Sequence, residues 1–94
     1  MMREIYEVNA RIVDANGTYN VLDGYPKLFD SKGYDNNPTK ALRRAESAFH
    51  EVLTAMYKID TRQLQTASIL RINGNEIIKK EVIGRIADLP DPEN

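Results

Sequence analysis

Two Asn-Gly dipeptides, Asn16-Gly17 and Asn73-Gly74, each interrupt a stretch of period-two hydrophobicity, and the one long stretch of helical periodicity lies between them. Asn and Gly accept the positive φ angles of a tight antiparallel turn, so each dipeptide marks a hairpin. Two hairpins around one helix leave few architectures open. The expectation is an α+β domain: an antiparallel sheet of four to five strands in the order ββ(β)αββ, with one helix packed on one face.

The individual segments support that order. In residues 4–13, Tyr6, Val8, Ala10 and Ile12 alternate with Glu7, Asn9 and Arg11, which is strand periodicity. A second strand over residues 18–22 follows the first turn. Residues 23–37 are irregular, with Gly24, Pro26 and Gly33, yet they carry Tyr25, Leu28, Phe29 and Tyr34. A short strand over residues 27–30 is expected there, at a sheet edge because Pro26 has no N–H for a ladder.

Asn37-Pro38 is a helix start, since the Asn side chain accepts orphan amides and Pro at the first helical position loses no bond. The helix is expected to run to about Lys58 and to bury Leu42, Ala45, Phe49, Val52, Leu53 and Met56. Lys40, Arg43, Arg44, Ser47, Glu51 and Thr54 form its wet face. Strands over residues 64–72 and 76–86 close the chain. If Asn73 and Gly74 are the central turn residues, Arg71 faces Glu76, Leu70 faces Ile77 and Ile69 faces Ile78. A single domain over residues 1–87 is expected, with residues 88–94 as a disordered acidic tail on account of their two prolines and missing periodicity.

Composition narrows function chiefly by exclusion. With 94 residues the chain has room for one modest core. The absence of cysteine removes disulfides, thiolate metal sites and cysteine nucleophiles, and points to a cytoplasmic setting. Residues 1–6 hold no signal-like apolar run and no stretch is long enough to span a bilayer, so no membrane association is expected. A net charge of -1 supplies no global field for phosphates. The five glycines are isolated and form no phosphate-binding motif. No cofactor is expected, and with one histidine no metal site either.

Three constellations remain. His50 follows Glu46 by one helical turn, a spacing at which a carboxylate can orient an imidazole, and these are the only catalytic candidates. No nucleophile stands at a spacing that demands the pair, and an exposed helix flank does not exclude water. Lys40, Arg43 and Arg44, with Lys58, Lys79 and Lys80, are nucleic-acid candidates, but the same residues on a solvated face simply keep a domain soluble. Tyr25, Phe29 and Tyr34 concentrate aromatic area in an irregular segment. With Leu70 and Ile77 of the last hairpin they are the expected binding residues.

That hairpin places aliphatics on both faces of the sheet, one holding Ala67, Ile69, Ile78 and Val82, the other Leu64, Leu70, Ile77 and Ile83. One helix covers only one of these faces. Ordinary exposure would account for the second, since much of any folded surface is apolar, but the leading expectation is burial against another copy, against a protein partner, or under the Tyr25–Tyr34 segment.

Tyr19, Val21, Pro26, Phe29 and Gly33, followed by Thr39 to Leu42 opening a helix, resemble the strand-strand-helix core of HicB-type antitoxin domains. The resemblance spans residues 17–42, departs from that family in the long closing hairpin, and implies a protein partner. The expected function is therefore a non-enzymatic protein-interaction or self-associating module, a homo-oligomer such as a dimer or a protein-partner binder. A small-molecule or nucleic-acid binder is the alternative, and a small hydrolase or isomerase using His50 and Glu46 comes last.

Overall fold

Alternation in the first strand and the Asn37 cap both have the structural consequences their residues imply. The computed structural model describes residues 3–13, 19–56 and 64–83. Its elements are β1 (Ile5–Val13), β2 (Tyr19–Val21), β3 (Lys27–Asp30), a single 3₁₀ turn (Ser31–Gly33), α1 (Pro38–Met56), β4 (Leu64–Arg71) and β5 (Glu76–Ile83). The expected turn at Asn16-Gly17, the helix end near Lys58, the continuation of the last strand to residue 86 and the tail at 88–94 lie outside the described residues.

All five strands join one antiparallel sheet in the order β2-β1-β4-β5, with β3 also paired to β1. β2 and β3 share one edge of β1, pairing Val21 with Arg11 and Lys27 with Val8. Residues 22–26 loop out between them, pinned by the Leu22 N–H donating to the Ala10 carbonyl at 2.9 Å. The Tyr25-Pro26 peptide is cis. β3 thus forms where the sequence places it, on an edge.

The 3₁₀ turn ties the start of β1 to the end of β3. Ser31 donates its N–H to the Glu4 carbonyl at 2.9 Å, and its Oγ accepts the Glu4 N–H at 3.0 Å. The chain then reverses through Asp35 and Asn36, both at positive φ, a conformation that short polar side chains tolerate best. Asn37 follows and caps α1, its Oδ1 accepting the N–H groups of Thr39 at 3.0 Å and Lys40 at 3.4 Å.

α1 crosses one face of the sheet. Ala41, Ala45, Ala48, Phe49, Val52 and Met56 are buried against Tyr6, Val8 and Ala10 of β1, Ala67 and Ile69 of β4, and Ile83 of β5. Leu42 and Leu53, expected among the buried residues of the stripe, are half-buried against the core. Ala41 and Ala48 take their place. Alanines at the contact let the helix axis approach the sheet closely, while the two leucines roof the sides.

The last hairpin keeps Leu70 opposite Ile77 and Arg71 opposite Glu76. Arg71 Nη1 lies 2.8 Å from Glu76 Oε2. Gly74 and Asn75, rather than Asn73, carry the positive φ angles, and the Asn75 N–H donates to the Ile72 carbonyl. Beyond Leu70 the expected register fails. Ile69 pairs with Lys79, not Ile78, because β5 is irregular there and Ile78 is the extra residue of a bulge. One inserted residue exchanges the faces of everything after it. Ile83 therefore enters the core, and Val82, expected on the same side as Ile69, points the other way.

Candidate functional site

Opposed residues in a sheet share a face, so the pairing register fixes what the uncovered side presents. Two transverse rows cross it. One runs Val21–Arg11–Thr66–Val82 from β2 through β1 and β4 to β5. The other runs Leu28–Glu7–Leu70–Ile77 from β3 through the same central strands. Between them lies a third row, Asn9–Ser68–Lys80. No other described helix or strand lies over this face, since the single helix packs on the opposite one.

The corners of the grid are aliphatic and wet. Val21 is 51%, Leu28 61%, Ile77 62% and Val82 54% exposed, four of the five large hydrophobic residues exposed among those described. Scattered aliphatics need no explanation, but these four occupy one face at the ends of two rows. The middle is polar. A shallow depression of about 240 Å³ lies over it, lined among others by Glu7, Asn9, Arg11, Ser68 and Lys80. Asn9 Nδ2 donates to Glu7 Oε1, holding that carboxylate on the surface, while Asn9 itself is sunk to 8% exposure.

The sequence-predicted binding residues divide between the two faces. Leu70 and Ile77 line the open depression. Tyr25, Phe29 and Tyr34 instead pack half-buried against the helix-side core, and Lys27 Nζ lies 4.9 Å from the centre of the Tyr25 ring. The Tyr25–Tyr34 segment therefore does not cover the second face. Phe29 does border a separate depression between β3 and α1, shared with Lys27, Arg44, Ser47 and Glu51.

The catalytic candidates are not gathered into a site. Glu46 Oε2 lies 3.1 Å from Lys79 Nζ, which reaches up from β5 and also stands 5.9 Å from the Phe49 ring centre. His50 is exposed, and its ring meets Phe49 edge-on at 5.8 Å. No histidine lines the open-face depression. The basic candidates are dispersed as well. Lys40 Nζ lies 2.9 Å from Asp35 Oδ2, Arg43 and Arg44 are exposed on α1, and Lys79 and Lys80 point to opposite faces of β5. Among the described residues, no three His, Cys, Asp or Glu side chains cluster so as to hold a metal ion.

Sequence reasoning missed the corner residues Val21 and Leu28 and the three rows as a unit. Their signal was present in part, because Glu7, Asn9 and Arg11 already alternate away from the core side of β1. Comparison with protein-family models, curated proteins and solved structures finds no match to the chain. The resemblance of residues 17–42 to HicB-type antitoxin domains has no support from those comparisons. No helix among the described residues is long and apolar enough to cross a membrane.

Proposed function

We propose that this chain is a non-enzymatic, self-associating interaction module that works through the open face of its sheet. The observation that carries the reading is the set of four corner aliphatics, each more than half exposed, around a polar centre on the face opposite the helix. Removing such a surface from water is favourable by roughly 25 cal/mol per Å² of apolar area, and a second sheet face is flat enough to cover all four corners at once. The shallow centre argues for contact rather than catalysis. It is too shallow to enclose a substrate.

The face also sets the strength of the contact. Four strands about 4.8 Å apart and about 26 Å of β1 give a footprint of roughly 500 Å² per copy, or about 1,000 Å² in total. That is the lower boundary for specific interfaces, so association is expected to be reversible and concentration-dependent.

Light scattering on a size-exclusion column, run over a range of loading concentrations, tests the proposal. The wild-type mass should rise toward twice the monomer value, while Leu28→Asp and Ile77→Asp stay monomeric with unchanged circular dichroism. A wild-type chain that stays monomeric throughout, or aspartate variants that associate as well as the parent, would overturn it.

A further inference from the structure

We infer that the second copy docks face to face about a two-fold axis lying along the Asn9–Ser68–Lys80 row. This rests on the self-association reading of the same face and specifies its register. An axis between two facing sheets can lie along the strands or across them. Rotation about an axis along the strands keeps each transverse row opposite itself in reversed strand order, so β1 stands over β4 and Glu7 faces Leu70, and Arg11 faces Thr66, of the second copy. Each charge is then covered with no opposite charge facing it across the contact, which is costly.

Rotation about an axis across the strands exchanges the two outer rows. Val21–Arg11–Thr66–Val82 then stands over Leu28–Glu7–Leu70–Ile77 strand for strand. Val21 covers Leu28 and Val82 covers Ile77, so every exposed corner aliphatic meets another. Glu7 meets Arg11 of the second copy, and the symmetry makes this pair twice. Both charges sit on the central strand β1, on the order of 7 Å either side of the axis. The rotation of about 30° between stacked sheets displaces such central positions least. Asn9 holds the Glu7 carboxylate in place before contact. Lys80 lies on the axis row at the sheet edge, where its long stem lets the ammonium reach water.

The register predicts a definite charge-swap pattern. Glu7→Arg alone places Arg opposite Arg, and Arg11→Glu alone places Glu opposite Glu, so each variant alone should self-associate at least about tenfold more weakly than wild type. Mixed one to one, the two variants should form a heterodimer of near wild-type affinity, because every cross-pair is again opposite in sign. The double variant Glu7→Arg/Arg11→Glu should recover as a homodimer. Analytical ultracentrifugation of the singles, the mixture and the double variant reads all three, and circular dichroism confirms the fold of each. If wild type dimerises and Ile77→Asp abolishes it, yet the mixture and the double variant stay as weak as the singles, the register is refuted while self-association stands. If wild type itself stays monomeric, both readings fall.

Discussion

Adjacent residues on β4 should respond very differently to the same truncation, because one faces the helix and the other the open side. Ile69 is 0% exposed beneath α1, whereas its neighbour Leu70 is half-buried on the opposite face. Ile69→Ala removes three carbons, worth about 0.8 kcal/mol each in transfer free energy. If half of the roughly 80 Å³ vacated persists, the cavity adds about 1 kcal/mol. The total, about 3.5 kcal/mol, is a large share of the roughly 5 to 14 kcal/mol expected for 94 residues. Leu70→Ala should cost the isolated protomer about 1 kcal/mol, since much of that side chain is already in water. Urea unfolding followed by circular dichroism at low protein concentration measures both, provided the slopes match the parent. Equal costs, or a larger cost at Leu70, would show that the helix does not lie on the Ile69 side and would refute the register on which the open face depends.

Two further outcomes follow from local geometry. Asn37→Ala removes the acceptor for the Thr39 and Lys40 amides and should cost about 1 kcal/mol in thermal or urea unfolding, a loss that Asn37→Asp should largely avoid. Asp30 is held at about 2, below its usual 3.8, by the hydrogen bond from Arg3 first and the Lys32 amide second. A depressed carboxylate stabilises the fold fully above its unfolded value and loses that contribution as pH falls from about 4 to 2, so Asp30→Asn should flatten the acid limb of the stability profile over that window, and parallel limbs would contradict the assignment.

Much of this fold is legible in the residues themselves. Alternation in residues 4–13 identifies β1 and its inward side, and Asn37-Pro38 marks the helix start, because both signals depend on local backbone chemistry. What escaped depends on contacts between elements. The bulge at Ile78 is hidden because Ile77 and Ile78 are adjacent aliphatics, so sliding the register by one leaves an equally hydrophobic pattern. Ala41 and Ala48 carry little hydrophobic signal, and only the close approach of helix to sheet makes them core in preference to Leu42 and Leu53. Glu46 stands one turn from His50 in sequence, but its ion-pair partner Lys79 comes from β5, which no helical spacing reveals. The division of the aromatic segment from Leu70 and Ile77 likewise needs the strand order, because only that order assigns each residue to a face.

The central claim, that copies of this chain meet through the open face, is tested most directly by methyl-resolved NMR over a dilution series. Concentration-dependent shifts should concentrate at Val21, Leu28, Leu70, Ile77 and Val82 and leave Val8, Val52, Met56 and Ile69 unmoved. Shifts confined to the helix-side methyls or the exposed flank of α1, or spectra identical at every concentration, would contradict it.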